Sequence, residues 1–364
     1  MIDTIILTLN SNMYRLTHPE KFSPCAQWAL EPGAWRPKRQ SKQNPTPKQY
    51  AKGIYLPRLT LTARSTPCNK RDVLLRIELS LPKLFFGNNI QELQYKDFHP
   101  CTQKLQEALQ QMGIAVCHDA LANAPVSAIH YSKNIPLTDG TTPHYLITQI
   151  KQANVKLSLD TNQTEYRNDG HSYRWHCKSY EIIFYDKIRD YQKDRTPHNR
   201  PLLSPLRKRR SRQKYEIFRM EVRLNKRHKI KQLFKLLGIQ SDYTFKKLFK
   251  PAIAKKILLY YIDELERMRP AWLDYKTDND KQLLAALVIH NPTMGAKKIM
   301  QLFGFKKMLE MKTMRELRGM FGSNKNGWYK IMADAKKVHL PHEQRPLELI
   351  RKHIEKFKML TRQI

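Results

Sequence analysis

From residue 53 to about residue 227 the apolar positions recur every second residue in short runs: IYLPRLTLTA, VLLRIELSL, VSAIHYSKNI, VKLSLD, SYEIIFYDK and YEIFRMEVRL. Successive side chains of a strand point to opposite faces, so each run predicts a strand with one apolar side. Two stretches break the rhythm. DFHPCTQKLQEALQQMGI carries Leu105, Ala108, Leu109 and Met112 at helical spacing, and PHYLITQIKQA is a shorter helix candidate. Beyond residue 228 the spacing becomes helical throughout, for example in PAIAKKILLYYIDELERM, DNDKQLLAALVIHN and RPLELIRKHIEKFKMLTRQ. The pattern predicts an α+β chain: a mostly antiparallel sheet with helices on one face, followed by an all-α C-terminal domain. Residues 1–30 form an apolar N-terminal strand and extension. Residues 31–52, rich in Pro, Gln, Lys and Ser, read as a mobile linker or loop, residues 53–227 as the sheet domain, and residues 228–364 as a helical accessory domain. No segment repeats at a fixed period.

The alternation also predicts what the second face of the sheet displays. In VLLRIELSL, Leu75, Ile77, Leu79 and Leu81 oppose Arg76, Glu78 and Ser80; in SAIHYS, Ile129 and Tyr131 oppose Ala128, His130 and Ser132. FRMEVRL separates Phe218, Met220, Val222 and Leu224 from Arg219, Glu221 and Arg223, and SYEIIFYDK places Glu181, Ile183, Tyr185 and Lys187 together. If these strands pair, one face packs on helices and the other carries Glu78, His130, Tyr185, Lys187, Glu221 and several arginines.

Charge narrows the partner. The chain of 364 residues has 66 Lys and Arg against 32 Asp and Glu, a formal charge of +34. Such an excess favours a polyanion, because each neutralised phosphate releases condensed counterions. Half of it comes from residues 191–260, with 21 basic residues against 4 acidic, centred on LRKRRSRQK at residues 206–214. Lying between two predicted strands, this run reads as a loop that holds a phosphate backbone through Arg207, Lys208, Arg209, Arg210, Arg212 and Lys214; a merely solvated segment is the alternative. No apolar run reaches the ~18 residues of a membrane span and the opening lacks a basic leader, so a cytoplasmic protein with no membrane partner is expected. The five cysteines, 25, 68, 101, 117 and 177, include no C-x-x-C pair, and small buried residues are expected.

One reaction would use the polar face. Attack of a tyrosine hydroxyl on a DNA phosphodiester yields a 5′-phosphotyrosine and a free 3′-OH, and conserves the bond energy for later religation. A phenol with a pKa of ~10 needs assistance at neutral pH. A divalent metal, Mg²⁺ or Mn²⁺, could polarise the phosphate, with Glu221, His130 and Glu78 as ligands, while Lys187 and the arginines, Arg219 and Arg223 among them, stabilise charge and hold DNA. Each signal has a plainer reading. A tyrosine at a strand end packs, a strand histidine is structural, and R-x-E-x-R is an ion-pair ladder.

These residues resemble the replication initiation proteins of filamentous phages and related plasmids, the gene II/X type family. The similar stretches are MIDTIILTL, LLRIELSLPKLFFGNN at residues 74–89, VSAIHYSKN at 126–134, YEIIFYDKIRD, and YEIFRMEVRL at 215–224. They span about residues 1–230 in the family's order, and S-L-P-K-L-F-F-G-N-N reads as a strand leading into a turn. The resemblance implies a rolling-circle initiator endonuclease that nicks one strand of a double-stranded origin, stays joined to the 5′ end through tyrosine and religates the displaced single strand. It matches Tyr185 to the nucleophile, Lys187 to the lysine that follows it, and Glu221 to the family's acid. His130 departs from the Asp that the family commonly carries, and the tandem His-hydrophobic-His motif of other rolling-circle initiators is absent.

With no G-x-x-x-x-G-K-[ST] motor motif, such an initiator would depend indirectly on a host helicase and polymerase. HSYRWHC holds His171 and His176 on opposite sides of a strand, which disfavours a joint metal role. PTMGAKKIMQLFGF and FGSNKNGWYKIMADAKK have helix-turn-helix spacing, so the C-terminal helices either read the origin or pack as a bundle. Tyr180 and Tyr191 lie close enough in sequence to act as a second tyrosine. A non-catalytic nucleic-acid-binding protein, and a relaxase or transposase with the same tyrosine chemistry, are the rival readings.

Overall fold

The computed structural model of the protein describes residues 1–31, 39–46, 48–49, 52–65, 71–138, 140–151, 164–167, 171–193, 216–268, 279–312, 314–322, 324–340 and 346–361. The strands are β1 (Ile2–Leu9), β2 (Arg15–Leu16), β3 (Gln40–Gln43), β4 (Arg58–Ser65), β5 (Arg71–Ser80), β6 (Ile114–Ala115), β7 (Val126–Leu137), β8 (Thr164–Arg167), β9 (Ser172–His176), β10 (Tyr180–Asp186) and β11 (Glu216–Leu224). Nine of them form one sheet in the order β3-β4-β5-β1-β7-β11-β10-β9-β8, every neighbouring pair antiparallel. β2 and β6 pair separately.

The α+β reading holds, and the register explains how alternation becomes two faces. Ile5, Leu7 and Leu9 lie directly opposite Leu79, Ile77 and Leu75, while Val222 and Leu224 oppose Tyr131 and Ile129. All are buried. Each large apolar side chain removed from water in this way contributes about 1.5–3 kcal/mol. The helices Arg227–Leu236, Pro251–Met268 and Pro346–Lys356 cover β7 with this face, and Pro143–Lys151 covers β9, β10 and β11. Pro251–Met268 shows why: Ile253, Ala254, Ile257, Leu258, Tyr261, Ile262 and Leu265, spaced three or four apart, are its buried stripe.

Several boundaries fall elsewhere than the sequence pattern places them. β1 is a central strand between β5 and β7, so the N-terminal residues are integral to the sheet. Gln40–Gln43, inside the stretch read as a linker, is the edge strand β3, where Ser41 accepts the Trp28 indole N–H at 2.8 Å. In SLPKLFFGNN the expected strand and turn are instead a short helix, Leu81–Phe86, with Pro in its first turn and Gly87 ending it at φ 73°. The helices after residue 227 do not form one unit. Those up to Met268, with Leu347, Ile350, Ile354 and Leu360, share the sheet's core, whereas residues 283–340 have an apolar cluster of their own around Leu287, Leu302, Phe305 and Trp328. VKLSLD and the basic run 206–214, with Arg207, Lys208, Arg209, Arg210, Arg212 and Lys214, lie outside the described residues. Cys101 is buried as expected of a small core residue, but Cys25 and Cys117 are exposed. Among the described residues no helix is long and apolar enough to cross a membrane.

A lysine sits on the core face. Lys133 follows Ile129 and Tyr131 at period two, and its ammonium donates to Glu92 at 2.5 Å with both side chains 3% exposed. Glu92 also accepts the backbone N–H groups of Asn134 and Leu360. Burial alone would push this carboxyl up, but Lys133, the N-terminal ammonium and the Asn134 N–H hold it below its usual range. The C-terminal segment is thereby tied to the loop behind the sheet's centre.

Candidate active site

The polar face of β9, β10, β11 and β1 carries a chain of alternating charges. Arg174 lies 3.3 Å from Glu181, Glu181 lies 3.5 Å from Arg223, and the Arg223 Nε–H donates to Glu221 Oε1 at 2.8 Å. Glu221 Oε2 lies 3.7 Å from Arg219 Nε, and Arg219 Nη2 lies 2.8 Å from Asp3 Oδ1. Strand register produces the array: Arg219 is directly opposite Tyr185, Glu221 opposite Ile183, and Arg223 opposite both Glu181 and His130. R-x-E-x-R is thus an ion-pair ladder, and Tyr185 is built into it.

The Tyr185 hydroxyl donates to Glu221 Oε2 at 3.0 Å. The Lys187 ammonium and the Arg219 guanidinium lie 5.5 Å and 5.9 Å from the centre of its ring. Lys187 reaches it from a different element than alternation predicts. β10 ends at Asp186, and Lys187 opens the helix Lys187–Lys193, its buried side chain donating to Asp190 at 3.1 Å. His130 Nδ1 stands 3.6 Å from Glu221 Oε1. A cavity of about 290 Å³ opens in front of Tyr185, bordered by Asp3, His171, Arg174, Arg189, Glu221 and Arg223.

Burial and neighbouring charge set the acidities. Burial would raise the Glu221 carboxyl, but Arg223, the neighbouring His130 and Arg219 hold it well below the usual carboxylate range. Burial pushes the Tyr185 phenol well above its usual value; Arg219 opposes that shift and Glu221 adds to it. The Lys187 ammonium is lowered by burial and by Arg219, with Asp190 acting against both. In this arrangement the phenol is therefore protonated and the carboxylate ionised.

Two expected residues stand apart. Glu78 is on β5, across β1 from His130, and it pairs with Arg76 at 3.0 Å and Arg58 at 3.9 Å. Tyr180 lies on the core face opposite Leu224, stacked on Tyr261, so it cannot share the cavity with Tyr185. The Tyr191 side chain lies outside the described residues. The oxygens of Glu221 are occupied by Arg223 and Tyr185, and Asp3 is occupied by Arg219. Among the described residues no three His, Cys, Asp or Glu side chains gather to hold a metal ion. As arranged, Glu221, His130 and Glu78 do not gather into one ligand set for the Mg²⁺ or Mn²⁺ expected from the sequence.

Asp3 is the residue that sequence reasoning missed. Counting back by two from Ile5 puts Asp3 on the core face. The β1–β7 register shifts between Ile2 and Ile5, which leaves Ile2 opposite buried Tyr131 and re-aims Asp3 to the polar face. Its only trace in the sequence is an acid in an otherwise apolar strand. Asn89 and Ser132 were missed as well: the Asn89 carbonyl and Ser132 Oγ each accept from Arg219 at 2.8 Å. With Asp3 they fix the guanidinium beside Tyr185, which gives the SLPKLFFGNN stretch a supporting role. Comparison with family models, curated proteins and solved structures finds no match to this chain.

Proposed function

We propose that the protein is a DNA nicking-closing enzyme of the rolling-circle initiator type, with Tyr185 as nucleophile. The observation that carries this reading is the Tyr185 hydroxyl bonded to a buried carboxylate, flanked by Lys187, Arg219 and Arg223, at a cavity on the polar face of a basic protein's sheet. In the proposed step the Tyr185 oxygen bonds to phosphorus, the bond to the 3′ oxygen breaks, and the tyrosine proton passes to Glu221. The leaving 3′ oxygen takes a proton from solvent. An incoming phosphodiester competes with Glu221 for Arg223 and His130, which raises the proton affinity of the carboxylate when the base is required. Arg219, held by Asp3, Ser132 and Asn89, stabilises the phenolate and the charge spreading over the phosphate. Religation is the reverse reaction by the displaced 3′-OH. The proposed partners are a double-stranded origin, its single strand, and indirectly a separate helicase and polymerase in a cytoplasm, with the C-terminal helices available to read the origin.

A second reading is favoured by the ladder itself, which satisfies Tyr185 without any reaction: a nucleic-acid-binding protein with a polar, rigid sheet face. One experiment separates them. The protein is incubated with a randomised single-stranded pool labelled at the 3′ end, with Mg²⁺ or with EDTA. Tyrosine attack transfers label to the protein, and Tyr185→Phe abolishes the transfer. Transfer that survives Tyr185→Phe refutes the nucleophile, and absence of transfer under both conditions favours the binding reading.

A further inference from the structure

A second cavity of about 370 Å³ lies on the same face, and Asp3 and Asn89 border both. Its remaining walls include Tyr55, Arg58, Glu78 and Ser80. Two polar atoms here are buried without a hydrogen-bond partner, Ser80 Oγ and Asn89 Oδ1, and Ser80 as a whole is only 7% exposed. Buried polar atoms in folded proteins are almost always satisfied, so these two are the atoms that an ordered water or a ligand in this cavity would bond. The Ser80 backbone N–H donates to the Tyr55 hydroxyl at 2.6 Å, which fixes the tyrosine in the wall. Arg58 leaves 62% of its side chain in solvent and stands 3.9 Å from Glu78, whose nearer partner is Arg76 at 3.0 Å.

We propose that this cavity receives the nucleotide adjoining the scissile phosphate, with its base against Tyr55 and hydrogen-bonded to Ser80 and Asn89, and its phosphate beside Arg58. The identity of the scissile bond rests on the nicking reading above; binding of the strand does not. A fixed aromatic, an outward cation and unsatisfied polar atoms are the means by which proteins hold one unstacked base of a single strand. Two cavities sharing a wall provide successive places for successive nucleotides. Glu78 then serves to orient Arg58 and Arg76 and to accept from a base.

The test uses the full chain carrying Tyr185→Phe, which cannot trap DNA covalently, and a fluorescent random 15-nucleotide single strand read by anisotropy. Arg58→Ala should weaken binding about threefold or more and reduce the slope of log affinity on log salt by about one. Ser80→Val should remove the base preference at one position of strands selected from the random pool and leave the other positions unchanged. Arg58 is solvent-facing, so its variant stands as the measurement if Ser80→Val fails to fold. Variants that bind with the parent's affinity, salt slope and base preference overturn the cavity assignment, even if label transfer to Tyr185 is intact. Altered binding in the variants together with no label transfer by the unsubstituted chain upholds the cavity and defeats the nicking reading.

Discussion

Replacing Glu221 by Gln keeps the shape of the side chain and removes one buried negative charge. Glu221 is 1% exposed, accepts from Arg223 at 2.8 Å and from Tyr185 at 3.0 Å, and lies within 3.7 Å of Arg219 and 3.6 Å of His130. The amide oxygen must face Arg223, which only donates, and the amide N–H₂ then donates to a reversed Tyr185 hydroxyl. Both bonds survive without the carboxylate's charge. Loss of charge assistance costs about 1 kcal/mol at each. Arg219 and Arg223 also lose a counter-charge, although Asp3 and Glu181 still partner them. The sum is about 3 kcal/mol, the low end of what breaking a buried pair costs. Urea denaturation at pH 7 measures it, followed by tryptophan fluorescence; Trp175 packs edge-on against Phe184, next to Tyr185 in β10. Acid supplies the control. The folded Glu221 carboxyl is depressed, so its contribution is complete above the unfolded value of about 4.3 and is lost as pH falls toward the folded value. The gap between parent and variant should therefore narrow below about pH 4.5. A variant within 0.5 kcal/mol (roughly the scatter of a neutral surface change) at pH 7, or a gap indifferent to acid, would refute the electrostatic account.

Further outcomes are expected elsewhere. Asp3→Asn should cost about 2 kcal/mol by weakening the bond to Arg219, and should slow label transfer to Tyr185 more than tenfold (~1.4 kcal/mol in the barrier), measured by denaturation and single-turnover assays; a full rate would remove Asp3 from the site. Lys133→Met should cost about 3–5 kcal/mol in urea, because Glu92 is left buried without its nearer cation, and a neutral result would mean that the N-terminal ammonium 3.9 Å away and the backbone donors satisfy Glu92. Gly87 and Gly113 both have positive φ, 73° and 86°. Nothing lies within 4 Å of a Cβ added at Gly87, whereas one at Gly113 would sit 2.5 Å from the His18 Cβ. Gly87→Ala should cost about 1 kcal/mol and Gly113→Ala about 2–4, and equal melting temperatures would contradict the steric difference.

The sequence alone determined the two faces of the strands it marked. Period two is a property of the strand itself, so Arg219, Glu221 and Arg223 could be placed on one side of their strand, and Tyr185 with Glu181 on one side of theirs, before any pairing was known. Helical stripes such as that of Pro251–Met268 were legible for the same reason, and Pro82 with Gly87 held a readable helix signal that the strand-like residues before it obscured. Tertiary structure decided what no local period encodes. Register chose which charges meet, and it turned three separate motifs into one ladder while leaving Glu78 beside Arg76. A bulge in β1 reversed the phase of Asp3, and chain reversal brought β1 to the centre of the sheet beside β7, more than a hundred residues away. Lys187 reaches the Tyr185 ring from a helix, and the Glu221 carboxyl stays ionised in a buried setting, because several elements converge on one volume. Side-chain direction belongs to the local backbone, whereas proximity and electrostatic environment belong to the packed whole.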